Sequence, residues 1–244
     1  MKIFVWILLF LLVINVIAAL ITVFRKPRSI SSVLAWMMTL IFLPGIGFII
    51  YLFCGRGIDG QEVFKLSDDE KQMVQRIKEK VDIDNKKAGR DKRYDLLYDA
   101  KVLNRYFRNM DASPLAKRNS LQLFTDGQEK FQALFEDIRA AKETVHVEYY
   151  AFFNDTIGNQ FLDVLIEKLH EGVEVYLIYD PWGSPGANKK FFARYVDAGG
   201  KVAPFITSRD MIRKTRLNYH LHRKIVVIDG KIGWTGGFNV GDQY

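Results

Sequence analysis

A histidine and a lysine two residues apart stand near the end of the sequence, and an aspartate follows them. His222 and Lys224 lead into the apolar segment 225–228, and Asp229 comes directly after it. If His222 and Lys224 lie in the extended backbone that leads into a strand over 225–228, their side chains share one face, because side chains alternate along a strand with a period of two. The same strand would anchor the pair in the core and put Asp229 at its carboxyl end.

Glycines and a side-chain amide follow this segment. Gly233, Gly236 and Gly237 surround residues 234–235, and Asn239 comes next. Glycine lets the backbone turn sharply and approach a ligand closely. Imidazole, ammonium, carboxylate and amide groups beside such backbone suit the binding and attack of a phosphate group. A histidine and a lysine at a strand start can also be merely solvated, but the glycines and Asn239 favour a site.

These residues need elements that hold them, and residues 120–244 alternate between strand-like and helix-like segments. The patterns predict strands over 121–124, 145–153, 173–179, 202–206 and 225–228, and helices over 125–141, 157–170 and 189–198. Such alternation predicts βαβ units and an α/β fold with a mostly parallel or mixed sheet. Ligands of these sheets gather beyond the carboxyl ends of strands, which makes Asp180 and Asp229 candidates for that edge.

Two apolar segments occupy the N-terminal end. Residues 3–24 form an uncharged run of 22 residues and residues 30–54 one of 25, separated by the basic link 25–28. As helices, both are long enough to cross a hydrocarbon core of about 30 Å, so we predict two transmembrane helices in a multi-pass protein. A cleaved signal peptide fits the first run poorly, because basic residues follow it. The Pro-Gly-x-Gly sequence at 44–47 also allows a kinked or re-entrant second helix.

Composition divides the chain into three predicted regions. Residues 1–56 hold the apolar runs, residues 57–119 are a polar helical linker, and residues 120–244 form the α/β part. The net charge is +7, with basic stretches at 90–118 and 209–224. A basic stretch is usually a solvated face, but near a membrane it also suits anionic lipid.

The polar linker carries one sharp local signal. Ser67 and Glu70 have the spacing of a capping box, which predicts a helix from there to about residue 81. A second amphipathic helix is predicted over 95–107 from the spacing of its apolar residues.

The pattern H-x-K-x4-D at 222–229, followed by G-G-x-N at 236–239, resembles the HKD motif of the phospholipase D superfamily. Within it, the whole chain is similar to bacterial cardiolipin synthases. Gly237 departs mildly from the serine often found there. Besides the motif, the resemblance is carried by Trp36 and Tyr51 around the Pro-Gly-x-Gly sequence, and by LFTDGQEKF (123–131), HVEYY (146–150) and YDPWGS (179–184).

The resemblance implies a phosphatidyltransferase that converts two phosphatidylglycerol molecules into cardiolipin and glycerol at the cell membrane. His222 would attack the phosphorus and form a phosphatidyl-histidine. Lys224 and Asn239 would hold the non-bridging oxygens, beside the backbone of Gly236 and Gly237. The resemblance implies neither a cofactor nor a metal.

Members of the superfamily use two HKD motifs, one from each half of the active site, and this sequence carries one. His146, His170 and His220 lack the spacing, and His220 is interpreted as a neighbour or a spare polar contact. Asp229 would orient and tune a histidine, across the site. A second histidine, absent here, would protonate the departing glycerol and deprotonate the next hydroxyl. We expect an N-terminal portion of a longer enzyme, incomplete at its C-terminus, that requires a second HKD half from its missing part or from another chain.

Two alternatives stay open. A phospholipase D-type phosphodiesterase is one, including a nuclease that pairs two single-motif chains, since the basic stretch before His222 also suits nucleic acid. The apolar runs favour phosphatidylglycerol and anionic membrane lipid as partners over nucleic acid. The other is a catalytically incompetent half-enzyme.

Overall fold

The computed structural model describes residues 29–43, 45–55, 67–87, 119–207 and 220–244, with single residues between 3 and 21 and between 102 and 107. Two compact units are distinguished, residues 58–123 and residues 1–57 together with 124–244. Most of the first apolar run, the link 25–28, most of the second linker helix and the stretch 208–219 lie outside the described residues.

The second apolar run is divided into two helical segments. Helix α1 spans Ile30–Phe42 and begins at Ser29, whose side chain accepts a hydrogen bond from the Ser32 N–H. Helix α2 spans Ile46–Ile50 and continues as a π-helical turn over Tyr51–Gly55. Gly45 lies between the segments with a φ of 82°, a conformation that favours glycine.

The two segments pack against each other as a helical hairpin. The rings of Trp36 and Tyr51 meet edge to face with centroids 5.1 Å apart, and Leu40 is buried beside them. A Cβ on Gly47 would lie 2.6 Å from the Thr39 carbonyl oxygen, so only glycine permits this approach. The run is therefore bent back on itself. Among the helices in the described ranges, none combines the length and apolarity needed to cross a membrane.

In the linker, helix α3 spans Asp68–Lys87. The predicted capping box is confirmed: the Glu70 N–H donates to the Ser67 hydroxyl, and the Ser67 N–H donates to the Glu70 carboxylate at 2.6 Å. This backbone hydrogen bond holds the pKa of Glu70 below its usual range. The helix ends at Lys87, six residues beyond the predicted end near residue 81.

The remaining elements form an α/β arrangement around one sheet. They are α4 (Gly127–Ala140), β1 (Thr144–Tyr149), α5 (Thr156–His170), β2 (Glu174–Tyr179), α6 (Ala193–Asp197), β3 (Lys201–Pro204), β4 (Lys224–Ile228) and β5 (Ile232–Thr235). The strand order is β3-β2-β1-β4-β5. β1, β2 and β3 are parallel, whereas β4 runs antiparallel to β1 and β5 antiparallel to β4. The predicted α/β class with a mixed sheet is confirmed.

The core lies between the sheet and α4 and α5. β1 alternates buried and more exposed residues, as expected for a strand with one face on a core. α4 and α5 turn helical stripes of apolar residues to that face. The buried members of these stripes are Phe131, Leu134, Phe135, Ile138, Phe161, Leu162, Val164 and Leu165.

Some local predictions are wrong. Residues 121–124 are not a strand: Leu121 and Leu123 are exposed, and no described strand pairs with them. α4 is capped by Asp126, whose carboxylate accepts the Glu129 N–H at 2.9 Å, so the helix begins two residues after the predicted start at 125. β5 is absent from the predicted strands, although its residues pair with β4 from Ile232 to Thr235.

Candidate active site

The antiparallel pairing of β1 with β4 decides where the HKD segment lies. Lys224 at the start of β4 is paired with Tyr149 at the end of β1. The Tyr150 N–H then donates to the Arg223 carbonyl at 2.9 Å. The residues before β4 therefore meet those after β1, at the edge where the parallel strands β1 and β2 have their carboxyl ends. This is the edge at which such sheets bind ligands.

His222 and Lys224 come together at this edge. Lys224 Nζ lies 3.2 Å from His222 Nε2 and 3.5 Å from its Nδ1. The lysine is 8% exposed, and this burial lowers the pKa of its ammonium group, while His222 is open to solvent. An exposed imidazole beside a cation can receive a phosphate group, with the nucleophile and the positive charge at one place.

Tyr150 forms one side of this site. Its ring centroid lies 4.6 Å from that of His222, and Lys224 Nζ lies 5.3 Å from the Tyr150 ring centroid. Tyr150 follows β1 directly, in the HVEYY segment. Nothing in its local pattern marks it as a site residue, because its role depends on the pairing of segments more than seventy residues apart.

Asn239 and the two glycines lie towards the same edge. Thr235 at the end of β5 is paired with Ile225, so Gly236 and Gly237 follow at the end of the sheet that holds His222. Added Cβ atoms on either glycine would meet no atom within 4 Å, so packing does not demand glycine there. The buried Asn239 accepts the Ala151 N–H at 3.2 Å and donates its amide to the Tyr244 hydroxyl at 2.6 Å.

Asp229 lies at the opposite edge, so the expectation that it shares the ligand edge is wrong. β4 is antiparallel, and its carboxyl end meets the amino end of β1, roughly 20 Å from His222 at strand spacing. The Asp229 carboxylate accepts the backbone N–H groups of Lys142, Glu143 and Thr144 at 2.8 to 2.9 Å. The Thr144 N–H contributes most to holding the pKa of Asp229 below its usual range. Among the described residues, Asp229 makes no contact with a histidine that would correspond to its predicted role of orienting one.

The Asp-Gly dipeptide at 229–230 also forms the turn between β4 and β5. Asp229 and Gly230 have φ values of 50° and 62°, and the Lys231 N–H closes the turn on the Ile228 carbonyl. Asp-Gly with positive φ at both residues is a strong hairpin signal. That signal could have predicted both β5 and a structural place for Asp229.

Asp180 does reach the ligand edge. Its carboxylate follows β2 and accepts the Leu221 N–H at 2.8 Å and the Trp182 N–H at 2.9 Å. His220 Nδ1 lies 3.5 Å from the same carboxylate. Within the described residues, no three His, Cys, Asp or Glu side chains are grouped so that they could hold a metal ion.

Comparison with known proteins places this geometry in a family. Residues 134–244 match the family model described as "Cardiolipin synthase, PLD-like domain", and residues 13–56 match "Phospholipase D-nuclease N-terminal". The chain belongs to the cardiolipin synthase family of the phospholipase D superfamily. The family assignment agrees with the resemblance that the HKD pattern carries.

Curated relatives extend the match over nearly the whole chain. A cardiolipin synthase of Listeria monocytogenes is 39% identical over 98% of this chain, and one of Staphylococcus aureus is 38% identical over 95%. This chain spans 50% and 47% of their lengths, so it corresponds to about half of either relative. Among solved structures, NucT from Helicobacter pylori aligns with 52% of this chain and 77% of its own, at 23% identity and a TM-score of 0.38.

Proposed function

We propose that this chain is the first half of a cardiolipin synthase, a membrane phosphatidyltransferase that converts two phosphatidylglycerol molecules into cardiolipin and glycerol. The observation that carries the proposal is the placing of Lys224 Nζ 3.2 Å from Nε2 of the exposed His222. The 39% identity to a cardiolipin synthase over 98% of the chain supports the substrate class. No cofactor and no metal enter the proposed reaction.

In the first proposed step, a nitrogen of the neutral His222 imidazole forms a bond to the lipid phosphorus. The bond between phosphorus and the glycerol oxygen breaks, and that oxygen takes a proton from an acid in the second HKD half. In the second step, a hydroxyl oxygen of another phosphatidylglycerol attacks the phosphorus and gives its proton to the same group. The bond to His222 then breaks and cardiolipin leaves.

Lys224 and Asn239 are the proposed holders of the non-bridging oxygens. The Lys224 ammonium opposes the negative charge that develops on these oxygens as the bond to His222 forms. Asn239 offers its amide N–H groups, one of which now donates to the Tyr244 hydroxyl. The open backbone at Gly236 and Gly237 supports a close approach of the phosphate.

The membrane attachment is part of the same proposal. Residues 1–56 would attach the enzyme to the cell membrane, and residues 120–244 would carry the first half of the site. Residues 57–119 would link these two parts. The first apolar run is proposed to cross the membrane, whereas the hairpin of α1 and α2 is proposed to enter it and return on the same side. Two crossings, as in a multi-pass protein, are the alternative that the two apolar runs predict, and labelling the two ends of the second run distinguishes the arrangements. The proposed partners are phosphatidylglycerol, anionic membrane lipid and a second HKD half, and not nucleic acid.

The test uses a polypeptide that carries both HKD halves, here termed the complete synthase. It is assayed on vesicles with labelled phosphatidylglycerol, and the products are separated. We expect His222→Ala to abolish cardiolipin formation, whereas His170→Ala, a matched change in an exposed histidine of α5, leaves it intact. Unchanged turnover in His222→Ala contradicts the proposal, and phosphatidic acid as the main product favours the phosphodiesterase alternative.

The isolated 244-residue chain is expected to form no cardiolipin, because one HKD motif supplies only the nucleophile. Cardiolipin formation by the purified short chain would show that two copies complete a site. Such activity would exclude the reading of this chain as an incompetent half-enzyme.

A further inference from the structure

A buried carboxylate adjoins the segment that leads to His222. Asp180 is 1% exposed, and its Oδ2 accepts the Leu221 N–H at 2.8 Å. Its Oδ1 accepts the Trp182 N–H at 2.9 Å and, more weakly, the Gly183 N–H at 3.4 Å. Asp180 therefore fixes the backbone one residue before His222.

His220 faces the same carboxylate. Its Nδ1 is enclosed and makes no hydrogen bond within the described residues, and Asp180 Oδ2 lies 3.5 Å from it. The rings of Trp182 and Tyr150 stand edge to face with the imidazole, with centroids 5.9 Å and 6.5 Å away. The side chain is nevertheless 29% exposed. Since Nδ1 is enclosed, the exposed part of the ring lies elsewhere, and Nε2 is the nitrogen left for a ligand.

His220 continues the row formed by His222 and Lys224. Residues two apart in an extended segment project to one side and are spaced about 6.5 Å. The Tyr150 ring contacts both histidines, which fits a common side. At the other end of the row, Lys224 is 8% exposed and begins β4. A ligand whose phosphate lies at His222 can therefore extend towards His220 and not into the strand.

We propose that His220, oriented by Asp180, binds a hydroxyl group of the lipid head whose phosphate is attacked at His222. The inference rests on the proposed function and names a residue that selects the head group. With its Nδ1–H directed at Asp180, the imidazole presents Nε2 as an acceptor for a hydroxyl proton. The three-carbon diol of phosphatidylglycerol places its hydroxyls four or five single bonds of about 1.5 Å from phosphorus, which matches one two-residue step.

The test is a competition between two donor lipids in the complete synthase. Vesicles contain equal amounts of labelled phosphatidylglycerol and of phosphatidylpropanol, whose three-carbon head lacks hydroxyls, and the ratio of glycerol to propanol released is measured. This ratio does not depend on how much of a variant is folded. We expect the wild type to favour glycerol and His220→Phe to lower the ratio about tenfold, as for the loss of one hydrogen bond in a closed site.

Two further variants complete the experiment. Asp180→Asn should lower the ratio in the same direction, because its amide has one acceptor oxygen where the carboxylate offers two to the Leu221 N–H, the Trp182 N–H and the imidazole. His220→Gln should retain part of the preference through its amide oxygen. The matched change His170→Phe should leave the ratio unaltered. A wild-type ratio in His220→Phe overturns the inference, whatever the total turnover. Failure of the wild type to release either head group would instead overturn the proposed function and this inference with it.

Discussion

Lys224 Nζ lies 3.2 Å from His222 Nε2, although the two side chains differ sharply in exposure. The lysine stem is buried at the start of β4, and the imidazole is open to solvent. Because the lysine stem is buried, the ammonium group is already fixed beside the imidazole. It therefore need not be ordered when a phosphate arrives there.

Removing this charge should slow the reaction and spare the fold. In the complete synthase, Lys224→Met is expected to reduce kcat by about 10²- to 10³-fold, as for the loss of one group that stabilises transition-state charge. Lys231→Met is the matched control, since Lys231 is an exposed lysine in the β4–β5 turn. Equal rates for the two variants, measured as cardiolipin formed per folded enzyme, would show that the Lys224 charge is not used.

Asp229→Asn should lower stability and leave catalysis in the folded protein near the wild-type rate. The Asp229 carboxylate accepts three backbone N–H groups, which lowers its folded pKa, so its stabilisation is present above the unfolded pKa of about 3.9. That stabilisation is lost as the pH falls through the folded value. The wild type should therefore have a higher Tm than the variant at neutral pH, and this difference should disappear below about pH 4.

The opposite result would restore the catalytic role expected from the motif. That result is an Asp229→Asn enzyme with the wild-type Tm and no cardiolipin formation. Paired measurements of Tm and turnover on one preparation separate the two roles.

The ligand edge itself shows which parts of the site can be predicted from sequence. The alternation of Val145, Val147 and Tyr149 predicts β1, and the two-residue spacing predicts that His222 and Lys224 share a face. The direction of β4 is not encoded in its four apolar residues. It is set by pairing with a strand some eighty residues earlier, and this pairing moves Asp229 to the far edge and brings Tyr150 to the site.

Contacts through backbone groups are equally hidden from a sequence pattern. Asp180 holds Leu221 by its N–H, which any residue other than proline at 221 would supply. Residues 121–124 show the converse failure: an alternating pattern predicts a strand, but a strand also needs a partner, and none of the described strands pairs there.

Lys130 is expected to limit the stability of the α/β part. Its Nζ donates to the buried Tyr149 hydroxyl at 3.0 Å, and burial lowers the pKa of Lys130 to about 7. The unfolded chain, with a pKa near 10.4, then binds more protons than the folded one between about pH 7 and pH 10, so stability rises with pH over that range.

Lys130→Met should therefore raise the free energy of unfolding by about 2 kcal/mol at pH 7. Removing the buried ammonium group stabilises the folded state, and the Tyr149 hydroxyl, which loses its hydrogen-bond partner, offsets part of this gain. The gain should fade as the pH approaches 10. Denaturant unfolding at several pH values measures it, with the exposed Lys189→Met as control. A loss of stability at pH 7 would show that the hydrogen bond outweighs the burial.

The hairpin predicts that both ends of the second apolar run lie on one side of the membrane. Tyr51 packs on Trp36, so the chain returns along α1. Cys54 is the single cysteine of the sequence and is exposed, and Ile30→Cys with Cys54→Ser moves the label to the other end. An impermeant maleimide should label both forms from the same side. Labelling from opposite sides would contradict the hairpin and support the second crossing of a multi-pass protein.

The proposed chemistry requires a covalent bond between phosphorus and the side chain at position 222. The complete synthase can be quenched in alkali during turnover of labelled phosphatidylglycerol, digested, and searched for the phosphoryl adduct by mass spectrometry. We expect the adduct on the peptide that contains His222, and none in His222→Ala. An adduct confined to another residue, or cardiolipin formation with no adduct at any quench time, would contradict the proposed mechanism.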